Sequence, residues 1–416
     1  MKNNRDSEFC LGPGIWFCCL LISLASLSAQ AMDLKYAASV REKVAAHDPA
    51  YAPAMARLIE EADKAMTQGP WTVTDKKVLA PSKDPKDYVS LAPYYWPDPS
   101  KPDGLPYINR DGQVNPETRN GDYSDRTRIE QMFKAVQTLN TAAYLTGKPE
   151  YAKHSADILR TFFLDRKTGM NPNLNFAQGA RGSSTGRSYG IIDVNSMSDV
   201  LDSITLMEKV AGPEVWSESD RKGFRDWCSQ FLVWLSTSPP GMEESKAANN
   251  HGAWFDATAS CFADFVGDSD RVKELAKKSE SRIGKQIRAD GTLPLELART
   301  RSWHYMLFAI DAFAITSERA RRNGVDLWHH QPDEPSAGDL SKAVECLLHY
   351  TETRDPWPRK DIDKREDPGP LFMKVRSLLD PARDAELCRR IDAVLAADAE
   401  RLNISPQILT VGPLPR

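Results

Sequence analysis

From residue 125 onward the apolar residues recur at three-and-four spacing almost without interruption. That periodicity constrains the fold more than anything else in the chain. RIEQMFKAVQTLNTAAYLTG, residues 128–147, places Met132, Phe133, Val136, Leu139, Ala143 and Leu145 at three-and-four spacing, and Gly147 ends it. PEYAKHSADILRTFFLD, residues 149–165, repeats the pattern with Pro149 at the helix start. The spacing predicts further helices over 193–210, 217–236, 251–266, 270–288, 296–317, 338–351, 370–378 and 384–402, and earlier ones over 34–47 and 53–67. Alternating strand patterns are almost absent. Helices with one apolar stripe can bury it only against one another, so the expected fold is all-α, a toroid or solenoid of helical hairpins. No repeat of fixed period is present, which sets aside the short consensus solenoids.

The first 31 residues read as a secretory leader. Lys2 and Arg5 precede the apolar run IWFCCLLISLASL, which is too short to span a membrane comfortably, and Ala29-Gln30-Ala31 has the form of a cleavage site. The mature chain is therefore expected to begin near Met32, to work in the periplasm or outside the cell, and to form one domain over 32–416. No later segment approaches a membrane span. With 54 basic against 58 acidic residues and a net charge of -4, the chain lacks the basic excess of a nucleic-acid protein. Any polyanion must meet a local basic patch. Cys10, Cys18 and Cys19 belong to the leader; Cys228, Cys261, Cys346 and Cys388 are scattered through helical patterns and read as buried thiols. The one adjacent histidine pair, His329-His330, has no third ligand nearby, so no metal site is expected. Oligomeric state is not encoded in any readable pattern.

Two long stretches, 80–124 and 169–191, break the helical pattern, and long loops in a compact domain are usually functional or disordered. The first carries Tyr88, Tyr94, Tyr95, Trp96 and Tyr107, the second Phe176 and Tyr189, too aromatic for disorder. Aromatic faces can stack on sugar rings or simply pin a loop to the body. The second loop also holds Asn171, Asn173, Asn175, Gln178, Arg181 and Arg187, a set suited to an anion, since arginine grips a carboxylate with two parallel bonds.

Two further clusters are denser. NNHGAWFDA, residues 249–257, sets two amides and an imidazole against a helix that looks buried. One Asn suffices to cap a helix, which leaves Asn250 and His251 unexplained. GTLPLELARTRSWHYMLFAIDAF, residues 291–313, carries Arg299, Arg301, His304 and Tyr305. Arg299 and Tyr305 are six apart, about 240° of rotation on a regular helix. A break near Thr300 to Ser302 is needed if both serve one site.

The segments NNH, ELARTRSWHY, YVSLAPYYWPDP and NPNLN, in that company, resemble the alginate lyase superfamily of polysaccharide lyases, closest to the family numbered thirty-eight and more distantly family five. The resemblance runs from roughly residue 35 to 400. It implies an (α/α) toroid with long loops over a cleft, and β-elimination on a 1,4-linked polyuronate such as alginate or glucuronan. It places the catalytic residues at Asn250, His251, Arg299 and Tyr305. The segment from Arg to Tyr is one residue shorter than in family five, which leaves Arg301 as the alternative to Arg299. Asn173, Asn175, Gln178, Arg187, Arg301, His304, Tyr95 and Trp96 are the expected substrate-binding residues. The partner implied is an anionic polysaccharide, and no metal or organic cofactor is called for.

Those residue types suit the chemistry. The C5 proton is very weakly acidic while the adjacent carboxylate is charged, so an amide and a guanidinium must stabilise the developing enolate. A neutral imidazole, ordinary pKa near ~6.5, can take the proton; a phenol can if its ordinary ~10 is lowered by a neighbouring Arg. The leaving C4 oxygen needs a proton, which a phenol supplies. Two rival readings remain. A glycoside hydrolase would need two placed carboxyl groups, for which Glu296, Asp256 and Asp193 are the candidates. A polyuronate-binding protein without chemistry would share the fold alone.

Overall fold

The structure is a computed structural model that describes residues 32–359 and 361–412. The proposed leader lies outside the described residues. Fifteen α-helices are described, and their order follows the apolar periodicity. Leu34–Ala45 (α1) and Ala52–Ala65 (α2) precede the first long loop. Then come Arg126–Thr146 (α3), Pro149–Leu159 (α4), Met197–Met207 (α5), Glu218–Thr237 (α6), Pro239–Glu244 (α7), Asn250–Val266 (α8) and Ser269–Gln286 (α9). Pro294–Leu297 (α10), Ser302–Arg322 (α11), Leu340–Glu352 (α12), Gly369–Leu378 (α13), Ala385–Ala397 (α14) and Ala399–Leu402 (α15) complete the set. Gly147 and Gly267 end α3 and α8 in the left-handed region, at φ of 72° and 84°, and allow the tight reversals into α4 and α9.

The helices form an (α/α) toroid: α3 packs on α2, α4 and α5, α8 on α5, α6, α9 and α11, and α13 on α11 and α14. The two innermost helices are buried on nearly all sides. In α8 every residue from Gly252 to Ala263 is buried, and in α11 the same holds from Ala309 to Ala320. Ala253, Ala257, Ala259 and Ala263 of α8 and Ala309, Ala312, Ala314 and Ala320 of α11 are buried, and the two helices pack on each other.

The long loops are ordered by short strands that the sequence reading did not predict. Val89–Leu91 (β1) runs parallel to Phe176–Gly179 (β4), with Val89 opposite Phe176, so each loop pins the other. Tyr95–Trp96 (β2) pairs antiparallel with Ile108–Asn109 (β3). The predicted helix 193–210 is shorter: a 3-10 segment, Ser188–Val194, precedes α5. The predicted helix 296–317 divides into α10 and α11, with the break at 298–301. Cys228, Cys261, Cys346 and Cys388 are free thiols. Among the described residues no helix is long and apolar enough to cross a membrane, and no cluster of metal-ligating side chains occurs.

Candidate active site

A cleft of about 1510 Å³ opens across one end of the toroid, walled by the two loops, the start of α8, the break before α11 and the segment 363–367. Gln178, Arg187, Tyr95, Asn250, His251, Arg299, Arg301, His304 and Tyr305 all border it.

At the start of α8 the three polar residues divide their work. Asn249 is the cap: its side-chain oxygen accepts from the His251 backbone N–H at 3.3 Å. That frees Asn250 and His251. Asn250 is fully buried; its backbone N–H and its side-chain Nδ2 donate to the two oxygens of Glu296 at 2.7 and 2.6 Å. Those bonds fix the amide's orientation and leave Oδ1 buried without a partner. The Glu296 carboxyl is raised above its ordinary value by burial, against the pull of the Asn250 bonds. His251 Nδ1 lies 2.6 Å from Oε1 of Glu244, a carboxylate 1% exposed at the end of α7. An ionised carboxylate only accepts, so the proton sits on Nδ1 and Nε2 is the basic nitrogen. Tyr189 packs on the imidazole face at 4.4 Å, and Arg187 lies 5.1 Å from the Tyr189 ring and 4.7 Å from that of Tyr95. Gln178, at φ 49°, holds Arg187: its carbonyl accepts from Nε at 2.9 Å, and its own Nδ-equivalent amide, Nε2, donates to Asp193 at 2.8 Å.

The break between α10 and α11 turns Arg299 back over Tyr305. The guanidinium lies 3.8 Å above the phenol ring, and Nη2 donates to the Tyr305 hydroxyl at 2.8 Å. Asp111 from the first loop holds the break: it pairs with Arg299, and its Oδ2 accepts from the Thr300 backbone at 3.1 Å. The Tyr94 hydroxyl is 2.9 Å from that of Tyr305. Of the two candidate arginines it is Arg299 that bonds Tyr305; Arg301 pairs with Asp363 and Glu366, and Glu366 also bonds His304 Nδ1 at 3.0 Å.

Several expectations need correction. The sequence leaves His251 and Tyr305 open as the base, the phenol only on the condition that a neighbouring Arg lowers it. The Tyr305 pKa is instead raised well above 10, first by burial and then by Tyr94, with Arg299 pulling the other way and losing. Tyr305 is thus a protonated phenol. Asn173, Asn175 and Trp96 do not wall the cleft: Asn173 bonds Asp87, Asn175 accepts from the indole of Trp234 at 2.9 Å, and the Trp96 indole donates to the Gln113 carbonyl. These three hold the loops in shape. The hydrolase carboxyls are also committed. Glu296 holds Asn250; Asp256 is buried against Arg282 and Lys278; Asp193 binds Tyr88, Ser90 and Gln178. Sequence reasoning did not assign Glu244, Asp111 and Tyr94 to the site. The first two lie seven and 188 residues from the groups they hold; Asp111 and Tyr94 both sat in the singled-out stretch 80–124, but only the tyrosine belonged to the aromatic set weighed there.

Toroid and site together define a polysaccharide lyase. A sequence profile described as alginate lyase matches residues 72–357. Among solved structures, an alginate lyase from Bacteroides ovatus is 34% identical, with a TM-score of 0.84 over 92% of this chain and 99% of that one. The chain belongs to the alginate lyase family. Alginate lyase A1-III from Sphingomonas species A1 shares the fold at 18% identity, with a TM-score of 0.52 over 86% of this chain and 88% of that one. Comparison with curated proteins gives no match.

Proposed function

We propose that the protein cleaves alginate by β-elimination, leaving a C4=C5 unsaturated uronate at the new end, and that His251 is the base and Tyr305 the acid. The observation that carries this assignment is the pairing of a tautomer-fixed imidazole, Nδ1 on Glu244, with a phenol kept protonated by burial. Arg299, whose Nη1 makes no hydrogen bond among the described residues, and the remaining N–H of the Asn250 amide meet the uronate carboxylate and stabilise the enolate as C5 loses its proton to His251 Nε2. The electron pair moves to form C4=C5, and Tyr305 gives its proton to the departing C4 oxygen, with the Arg299 bond easing the charge left on the phenol. The sequence match to alginate lyases supports the substrate. A tetrasaccharide complex of a variant A1-III enzyme shows an oligosaccharide held by the same kind of fold.

Two separate residues suit a substrate whose C5 hydrogen and C4 oxygen lie on opposite ring faces, which is the arrangement in guluronate; in mannuronate and glucuronate they share a face. The reading therefore expects cleavage of guluronate blocks. The test is a panel of polyguluronate, polymannuronate and glucuronan followed by ultraviolet absorbance of the conjugated double bond. Tyr305→Phe should lower turnover by roughly 10²–10⁴-fold while polymer binding persists. Unchanged turnover in this variant, or depolymerisation without new absorbance, overturns the assignment. We also propose export with loss of the leader after Ala31, supported by the charged, apolar and small-residue order of residues 1–31.

A further inference from the structure

Met32 is 1% exposed, and its backbone nitrogen lies 3.0 Å from Oδ2 of Asp202, itself buried on α5. Its carbonyl accepts from Arg322 on α11. Asp202 is gripped by Arg319 through both nitrogens at 2.7 Å and by Arg322 at 2.9 Å. The other groups facing this point are Asp264 and Cys261 of α8 and Glu318 of α11. The neighbouring Asp33 turns away to cap α1, accepting from Lys35 and Tyr36. Three carboxylates, Asp202, Asp264 and Glu318, thus meet three guanidiniums: Arg319, Arg322 and, from a side chain 43% exposed, Arg321, which pairs with Glu318. Of these carboxylates it is Asp202 that lies against the Met32 backbone nitrogen.

We infer that this cluster is a socket for the processed amino terminus: cleavage after Ala31 turns the Met32 amide into an ammonium that bonds the buried Asp202 carboxylate. The inference rests on the proposed removal of the leader, and two independent observations meet in it, the small-x-small pattern ending at Ala31 and the placement of the next nitrogen on a buried carboxylate. Cleavage forms a free amine and a carboxyl from one peptide bond and one water, and the amine takes up a proton. In the precursor the same nitrogen offers one neutral N–H; in the mature chain it offers three and a full charge, a charge-assisted bond. The leader's removal therefore stabilises the fold. Met32 is not among the residues around the cleft, so its loss leaves the chemistry of the lyase site alone.

The sign follows from the amine. Its ordinary value is near ~7.7–8.0, and the socket requires Asp202 to hold the folded value above that, against burial and the guanidiniums of Arg319 and Arg322. The added stability is complete below the ordinary value and disappears as pH rises through the raised one. The experiment compares protein whose translation starts at Met32 with protein carrying Ser-Gly ahead of Met32, both assayed on alginate. At pH 6–7 the extended chain should melt roughly 2–5 °C lower, with kcat unchanged at a temperature well below melting, and the gap should close at alkaline pH. In the native Met32 protein, acetylation of the α-amine at pH 7 should be at least tenfold slower than in the unfolded chain. Equal melting across the pH range, or an amine that reacts as fast folded as unfolded, overturns the inference. So does exported full-length protein whose mass shows a start other than Met32. An extension that prevents folding altogether leaves the acetylation rate to decide. Failure of the lyase reading would appear instead as absent double-bond formation in both proteins.

Discussion

Burial outweighs a guanidinium stacked 3.8 Å away and raises the Tyr305 phenol, and on the proposed assignment this leaves the base to His251. That role is open to His251 only while Nδ1 is held protonated, and the group that holds it is Glu244. Replacing that carboxylate by an amide of the same shape lets the side chain offer an N–H to Nδ1 and so favours the wrong tautomer. Glu244→Gln should therefore lower kcat by roughly 10²–10⁴-fold with a smaller change in KM, measured from initial rates of absorbance, while Tm moves little. If kcat holds, the imidazole is not the base. Asn250 acts differently. It is fully buried and its amide is tied to Glu296, so Asn250→Ala would strand a buried carboxyl, and it should lower Tm as well as turnover.

The break between α10 and α11 is what brings a residue six positions before Tyr305 onto the same site, and it is held from outside the helix. Asp111 binds Arg299 and Thr300, and Ile362 donates its backbone N–H to the Thr300 carbonyl at 3.0 Å. Gly112 makes this approach possible. It sits at φ 77°, and a Cβ there would come within 2.5 Å of Thr300 Oγ1 and 2.8 Å of Ile362. Gly112→Ala should push Asp111 off Arg299 and cut kcat/KM by at least about tenfold, since small misplacements at a catalytic group are expensive. Helical circular dichroism should be unchanged; normal kinetics in a folded variant would show that Asp111 does not place Arg299. The need for such a break was legible in the sequence, because helical geometry alone separates Arg299 from Tyr305. Its anchor was not, because Asp111 lies in a different loop. The same holds elsewhere. Apolar spacing gave the long helices and their order, and capping logic singled out Asn250 and His251. The β1–β4 pairing and the role of Asn175 as a hydrogen-bond acceptor for Trp234 depend on contacts between distant segments, which carry no periodic signal.

At the scale of the whole molecule, the two ends of the described chain meet and close the ring. Asp33 donates its backbone N–H to the Thr410 carbonyl at 2.9 Å, and the Tyr36 hydroxyl donates to that of Ile408 at 2.9 Å. Ile408, Leu409 and Val411 are buried, so residues 406–411 are a packed strap; removing 406–416 should lower Tm, because burying each such side chain is worth about 1.5–3 kcal/mol. Beside this seam lies the Asp202 cluster, which ties α5 to α8 and α11. The two guanidiniums hold the Asp202 carboxyl at about 2, against the desolvation that would raise it. A carboxyl lower in the folded state than its ordinary ~3.9 contributes stability that is complete above that value and lost as pH falls through the folded one. The shift corresponds to about 2 kcal/mol. Asp202 then stabilises the wild type at pH 6 and contributes progressively less between about pH 4 and pH 2. Asp202→Asn removes that contribution and leaves Arg319 and Arg322 short of a partner at every pH, so the Tm gap between wild type and variant should be widest near pH 6 and narrow steadily below pH 4. Melting curves for both proteins across that range check it. A gap that stays constant with pH would mean that Asp202 holds the ring by shape and hydrogen bonding rather than by its charge.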